Sequence, residues 1–476
     1  MLTLAFIATK RTLFSSFSLI LVFIMFSVVI LAAGKGTRMK SSLPKVLHPV
    51  GGKPIVQRII DTVETLSPSA IQLVYGHGAD QLKQTLKGEN LNWCLQQEQN
   101  GTGHAVMQAQ PYISDDEDVI VLVGDAPLIQ ASTLQRLQEA KKNADIALLT
   151  VDLDDPTGMG RIVREGNNIV GIVEHKDATE AQRTIKEINT GMMMMGGADL
   201  KRWLGQLSND NAQQEYYLTD VIAMAASEGK RIQSAQPDTA IEVEGINNRV
   251  QLSRIELALQ ARQADALMTE GVTLLSPTQF SLRGNLTVGQ DVIIDANVII
   301  EGDVNLGDNV YIGPNCVIKD STVASNSRIE AFSLLEKAKV GEQCNVGPYG
   351  RLRPGAIMEQ GAKVGNFVEM KNAVLREGAK ANHLTYLGDA DIGARTNIGA
   401  GTITCNYDGV NKSKTIIGEN AFIGSNSALV APVTIGSGAT VGAGSTINKD
   451  IDDNVLAVSR AKQRAIQGWE RPTKKS

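Results

Sequence analysis

The chain has 476 residues, an apolar fraction of 43% and a net charge of −5. That length exceeds one ordinary core at roughly 150 residues per domain, and the mildly acidic balance excludes the basic footprint of a nucleic-acid binder. Four scattered cysteines, Cys94, Cys316, Cys344 and Cys405, form no CxxC pair and no disulfide framework, which excludes a cysteine zinc site and favours a reducing compartment.

The first element raises a choice of compartment. Arg11 precedes an apolar run from Phe17 to Ala33, which from the left reads as a membrane segment or secretion signal. From the right, Ser27 to Leu31 reads as a buried strand entering the glycine turn "LAAGKGTRM". The turn is neither GxGxxG nor a Walker loop, since GK[ST] is absent. Its backbone N–H groups can still face phosphates, with Arg38 and Lys45 adding positive charge; the plain alternative is a tight turn with solvated cations. No later apolar run reaches the roughly 20 residues that span a bilayer.

From Val28 to about Arg249, short β-branched runs ("VVILAAG", "IQLVYGHG", "VIVLVGD", "ADIALLTV") alternate with amphipathic stretches such as "PIVQRIIDTVETL" and "STLQRLQEAKK". The alternation predicts βαβ units on a mainly parallel, Rossmann-like sheet, with ligands at the carboxyl ends of the strands. Asp125 stands at such an end. Magnesium commonly takes one or two protein carboxylates plus phosphates and water; a strand-end cap is the competing role. Met192 to Met195 read as a soft buried strand, and His77 and His104 as local hydrogen-bonding residues.

The stretch 249–270 is long, amphipathic and free of internal glycine or proline, which predicts a connecting helix. Beyond it, aliphatic residues recur at every sixth position: Val288 to Ile318, Val340 to Met370 and Ile417 to Ile447. Small residues sit two places earlier, as at Cys316, Ala338, Cys344, Ala362, Ala421, Ser427 and Ser445. This is the hexapeptide signature of a parallel β-helix, in which Cys316 and Cys344 are packing residues. The solenoid's one histidine, His383, lies where the six-residue register breaks between Met370 and Ile392. The break predicts a loop outside the coil, and an imidazole there suits a general base.

Leu31 to Met39 with Pro44-Lys45 match L-x-A-G-x-G-T-R-[LM] followed by P-K, and "QQEQNGTGHA", "VGDAPLI", "GMGRIV", "VEHKDA", "EINTG" and "VEGINNR" follow in order. With the hexapeptide half behind them, the chain resembles the bacterial bifunctional N-acetylglucosamine-1-phosphate uridyltransferases/glucosamine-1-phosphate N-acetyltransferases over almost everything after Met25. The resemblance implies a left-handed β-helix, a parallel homotrimer, a cytoplasmic enzyme and no membrane. It implies residues 1–24 as an extension ahead of a start at or near Met25, because signal cleavage after Ala33 would remove the first strand. Domains are then expected at 25–248 (nucleotidyltransferase), 249–270 (helix) and 271–476 (acetyltransferase).

The expected reactions are acetyl transfer from acetyl-CoA to glucosamine 1-phosphate, then uridyl transfer from UTP to N-acetylglucosamine 1-phosphate. The product, UDP-N-acetylglucosamine, feeds peptidoglycan, cell-wall and lipopolysaccharide synthesis and hence cell shape. The resemblance assigns Mg2+ to Asp125 and Asn247. It assigns the nucleotide sugar to Leu31, Ala32, Ala33, Gly34, Arg38, Lys45, Gln96, Gly101, Thr102, Val123, Gly124, Asp125, Gly160, Glu174, Asn189 and Asn247. Val123 departs from the pattern, which usually carries an aromatic residue before Gly-Asp.

In the solenoid the resemblance makes His383 the base for the amine and places Arg353, Lys371, Tyr386 and Asn397 around the sugar phosphate. It gives Ala400, Asn406, Tyr407, Ser425, Ala443 and Arg460 to acetyl-CoA. Cys405 invites a nucleophile role, but an amine attacks a thioester without an enzyme thiol. A single-activity nucleotidyltransferase with a structural or regulatory solenoid is the alternative, and "NHLTYLGDA" with "TITCNYDG" argues against it. A zinc-dependent solenoid enzyme such as a carbonic anhydrase fails because one histidine supplies too few ligands.

Overall fold

The computed structural model describes residues 25–76 and 78–474; the run before Met25 and His77 lie outside them. The chain divides into two compact units. One holds residues up to Lys35 with Ile59–Gly124 and Ile129–Val243; the other holds Gly36–Arg58, Asp125–Leu128 and everything from Glu244 onward.

The first unit is built on a mixed sheet in the order Ile232–Ala235, Ile146–Asp152, Glu187–Gly196, Asp118–Val123, Phe26–Ala32, Ile71–Tyr75, Leu91–Leu95. Only Glu187–Gly196 runs antiparallel to its neighbours on this path. It also carries a hairpin, Arg161–Glu165 with Asn168–Val173. The right-hand end of the N-terminal apolar run is therefore a central strand, paired in parallel on both sides. A strand covered on both faces needs no polar alternation, and Val28, Val29 and Ile30 are at most 1% exposed. No helix among the described residues is long and apolar enough to cross a membrane. Met192 to Met195 are fully buried in the antiparallel strand, as the sequence predicts.

In the second unit the helix Arg249–Thr269 is capped by Asn248, whose side chain accepts the Gln251 N–H. Ala264 and Leu267 on this helix join a continuous apolar core that runs through the solenoid to Ile451. The solenoid is a parallel β-helix of short strands stacked coil on coil. The hexad residues fill its interior, with only Val288 at the first coil partly exposed. Cys316 and Cys344 pack inside it, and burial pushes both thiols up to about 11, which keeps them protonated.

The expected loop between Met370 and Ile392 does not exist. Leu375, Ala381 and Leu387 continue the core through that stretch, each fully buried, and His383 ends a coil strand, Lys380–His383. The register contracts instead: Met370 to Leu375 and Leu387 to Ile392 are five-residue steps, because one corner of the coil is a residue shorter. The true excursion is at residues 406–414. Ile392 pairs with Ile417, 25 residues on, where coils away from this excursion are offset by 16 to 18, as at Val441–Ala457, Met370–Leu387 and Ile294–Ile312.

Candidate functional sites

In the first unit, glycine lets two chain segments meet closely at the carboxyl end of the central strand. Gly124 donates its N–H to the Leu31 carbonyl at 2.8 Å, and a Cβ there would lie 2.6 Å from the same oxygen. The Ala33 carbonyl accepts from Gln99, while Gly34 is exposed with open space around it. Ala32 and Ala33 are buried. Gln96 is buried, and its amide donates to the Gly101 carbonyl at 3.2 Å and meets His104 Nδ1 at the same distance. Gln108 holds the other ring nitrogen, so His104 is a hydrogen-bonded spacer. Gly101 adopts φ +104° against the Tyr216 carbonyl, and Thr102 accepts from the Leu218 N–H.

A second group in that unit joins Gly160, Glu174 and Asn189. The Asn189 N–H donates to the Gly160 carbonyl at 2.9 Å, and a Cβ on Gly160 would sit 3.3 Å from Glu174 Oε1. Burial pushes the Glu174 carboxyl up and Asp177 and Asp220 add to the rise, against the hydrogen bond that Thr219 donates at 3.2 Å. Sequence reasoning missed Thr219, which no motif marks. Val123 faces Gly191, where a Cβ would come within 2.9 Å of its methyl group.

The second unit gathers a cation and oxygen cluster from distant segments. Lys45 Nζ donates to Asp125 Oδ2 at 2.6 Å and to Asn247 Oδ1 at 3.2 Å, and Arg38 donates to the same Asn247 oxygen at 2.9 Å. Gly36, at φ +60°, is required: a Cβ would lie 2.6 Å from Lys45 Cβ. Gly245 leaves room beside Asp125 Oδ1, and the Ile246 N–H donates to the Asp125 carbonyl. Asn247 is fixed by Gln251, whose side chain accepts its N–H at 2.8 Å. Arg249 donates to the Met39 carbonyl and His48 Nδ1. Gln251 and Arg249, both in the first helical turn, are further residues the sequence did not single out.

Two side-chain oxygens, one charged and one neutral, thus converge on a single cationic position held by the Lys45 ammonium. Hard oxygen donors of this kind fit a divalent ion such as Mg2+. No group of three or more His, Cys, Asp or Glu among the described residues could hold a metal, so water and substrate would complete the shell.

On the solenoid, His383 Nδ1 lies 2.6 Å from Asn366 Oδ1 on the preceding coil. Two corner residues separate His383 from Tyr386, which begins the strand Tyr386–Gly388. On that face Tyr386 stands in register with Glu369, and Lys371 with Gly388. Arg353 donates to Glu369 at 2.7 Å, which holds the guanidinium in its charged form. Lys412, from the 406–414 excursion, was not anticipated. Its ammonium, within hydrogen-bonding reach of Lys371, holds that lysine below the ordinary range. Burial opposes it, but hydrogen bonds from Asn372 and Asn406 and the charges of Lys412 and Lys371 keep Asp389 below the usual carboxylate range. Tyr407 is exposed on the excursion and bridges to Lys412. Asn397 follows one coil after Lys380.

The remaining residues line one corner. The Leu384 N–H donates to Asn366, that of Gly401 to Leu384, that of Asn426 to Ala400 and that of Gly444 to Ser425; Arg460 donates to the Ala443 carbonyl. His383, Ala400, Ser425 and Ala443 each precede one of these corner positions on successive coils. Side chains beyond His383 are small. On the other side the same corner carries an exposed aromatic ladder, Phe332 on Tyr349 on Phe367, with centroids 4.9 and 5.0 Å apart.

Residues 28–175 match the MobA-like NTP transferase domain, 282–364 the GMPPB C-terminal domain and 414–449 the bacterial transferase hexapeptide of six repeats. The bifunctional protein GlmU of Pseudoalteromonas atlantica is 67% identical over 449 residues, 94% of this chain and 99% of that protein. Solved structures of UDP-glucose pyrophosphorylase, apo and with UDP-glucose, are 14% identical. Each spans 50% of this chain and 99% of its own, with TM-scores of 0.42 and 0.41.

Proposed function

This chain belongs to the family of bifunctional GlmU proteins, and from that premise we propose how its residues divide the two reactions of UDP-N-acetylglucosamine synthesis. The chain is a transferase of both kinds. It acetylates glucosamine 1-phosphate with acetyl-CoA and couples N-acetylglucosamine 1-phosphate to UTP with release of pyrophosphate. The observation that carries the division is the separate makeup of the two residue sets: cations and hard oxygens in one, an imidazole on a small-residue corner in the other.

In uridyl transfer, the sugar-phosphate oxygen attacks the α-phosphorus of UTP and the bond to the β-phosphate oxygen breaks. The nucleophile is already an anion, so no base is needed; positioning and charge neutralisation remain. Arg38 and Lys45 serve the phosphates. Leu31 to Gly34 with Gln96, Gly101, Thr102, Val123 and Gly124 serve the nucleoside, and Gly160, Glu174 and Asn189 serve the sugar and ribose. Asp125 and Asn247 would hold Mg2+, which would supply neutralisation of the polyphosphate charge.

In acetyl transfer, His383 takes a proton from the amine as nitrogen attacks the thioester carbonyl; the C–N bond forms, the C–S bond breaks and the coenzyme leaves as its thiol. Arg353, Lys371, Tyr386 and Asn397 hold the sugar phosphate, joined by Lys412. Ala400, Asn406, Tyr407, Ser425, Ala443 and Arg460 receive acetyl-CoA, where the small side chains leave a path along the corner.

The crowded lysine pair supports the phosphate assignment. Because the Lys371 pKa is lowered, its charge is lost as pH rises sooner than that of an ordinary lysine; a dianion restores it. The KM for glucosamine 1-phosphate should therefore climb at alkaline pH. Lys412→Met should raise KM at neutral pH by roughly 10-fold or more and move the alkaline climb to higher pH. Initial rates across pH measure both. An unchanged KM would remove Lys412 from the phosphate set.

A homotrimer is the assembly proposed, supported by the ladder of Phe332, Tyr349 and Phe367. Exposed contiguous aromatics mark contact surfaces, and a further copy of the same chain is the partner. Tyr349→Asp should lower the mass seen by light scattering and reduce acetyl transfer while uridyl transfer persists. A trimer that survives this change would assign the ladder elsewhere. A cytoplasmic site is proposed from the four free cysteines and from the reactants, which are cytoplasmic metabolites.

A further inference from the structure

We propose that Asn366 is a positioning residue for acetyl transfer: its side-chain oxygen holds the Nδ1 proton of His383 and so fixes Nε2 as the basic nitrogen. The proposal rests on His383 acting as the base.

The register puts the two residues opposite each other. Asn366 ends the strand Lys363–Asn366, His383 ends Lys380–His383, and they are paired in parallel one coil apart. Asn366 Oδ1 and His383 Nδ1 are 2.6 Å apart. An amide oxygen only accepts, so the ring nitrogen facing it carries the proton, and a neutral imidazole with Nδ1 protonated has its lone pair on Nε2.

The backbone holds the pair together from both sides. Gly365 precedes Asn366, and a Cβ there would meet the Asn382 carbonyl at 2.0 Å; a larger residue would push the two coils apart. The Asn366 carbonyl accepts the Leu384 N–H at 3.0 Å. Thr385 is buried and its hydroxyl donates to the His383 carbonyl at 2.7 Å. Leu384 and Phe367 both turn the corner at left-handed φ, +48° and +57°, so each strand end is followed by the same bend. These bonds fix the two main chains side by side, so that both side chains leave adjacent strand ends.

The chemistry gives this bond a purpose. As nitrogen attacks the thioester carbonyl, the amine proton moves to Nε2 and the imidazole becomes a cation. Its Nδ1–H then donates more strongly to Asn366, a charge-assisted bond. The same proton passes from Nε2 to the departing sulfur, and the imidazole returns to its starting tautomer. A neutral amide steers the ring without fixing a proton on Nε2, which a stronger base would.

The test uses the full chain with 15N-labelled histidine. Long-range proton–nitrogen correlation should show the His383 ring, identified by its loss in His383→Ala, protonated at Nδ1. Asn366→Ala should lower the acetyl-transfer kcat about tenfold with both KM values little changed and populate the other tautomer. Asn366→Asp should keep the Nδ1 proton and move the acid limb of the kcat profile to higher pH. A parental circular-dichroism spectrum and thermal midpoint, with uridyl transfer at the parental rate, show that each variant is folded. A parental ring protonated at Nε2, or an Asn366→Ala chain with parental kcat and pH profile, would overturn the proposal. If His383→Ala itself retained acetyl transfer, the role of His383 as base would fall instead.

Discussion

Replacing His383 by alanine is expected to lower acetyl transfer by about 10²–10⁴-fold, the range of a lost general base, and to leave uridyl transfer at its parental rate. The reason is chemical. The neutral glucosamine amine becomes acidic as its nitrogen bonds to the thioester carbonyl and must shed a proton, so a positioned acceptor is needed at the moment of attack. Stability should change little. His383 is exposed at the end of its strand, and the core beneath it is made by Ala381 and Leu387, each fully buried. His383→Gln, which retains a hydrogen-bonding end but cannot take the proton, should be as slow as alanine. Coupled assays of free thiol release and pyrophosphate release on the same preparation separate the two rates. Loss of both activities from a folded chain would show that the two residue sets are not independent.

The period-six columns made the solenoid legible, because an interior position repeated on every coil tolerates only aliphatic residues: Ile294, Ile300, Ile312 and Ile318 are all fully buried. The same rule failed at residues 371–391 for two physical reasons. A coil corner can drop a residue and still close, turning a step of six into a step of five. The core position there is Ala381, whose small side chain does not announce a column. By period alone the segment reads as a loop, while the excursion at 406–414 shows in the sequence only through Asn406 and Tyr407, with no signal at Lys412.

The central strand Phe26–Ala32 was legible because a doubly covered parallel strand must be continuously apolar. Lys45, Asp125 and Asn247 were not. They lie 80 and 202 residues apart on the bonds they make, and no local pattern brings them together; only the ordered motifs of a family resemblance did. Asn366 had a findable signal, since a residue 17 before His383 falls on the neighbouring coil, but that required knowing the coil length.

Asp125→Ala is expected to do the reverse of the histidine change, lowering uridyl transfer by roughly 10²–10³-fold, the scale on which losing one preorganised electrostatic contact slows an enzyme. Asp125 is the one negative charge in a cluster with Arg38, Lys45 and Asn247. Its removal takes away the charged member of the proposed metal-holding pair and strands the Lys45 ammonium, whose side chain is 11% exposed. Breaking a pair of this kind by deleting one partner is costly, so the alanine variant loses stability as well as charge. Asp125→Asn separates the two effects, because it keeps the shape and an oxygen for Lys45 while removing the charge. It should stay folded, bind Mn2+ more weakly by calorimetry than the parent, and need more Mg2+ for half-maximal pyrophosphate release. Acetyl transfer should continue in both variants at the parental rate. Parental Mn2+ affinity in a folded Asp125→Asn chain would take the ion away from Asp125 and leave the aspartate only its ion pair with Lys45.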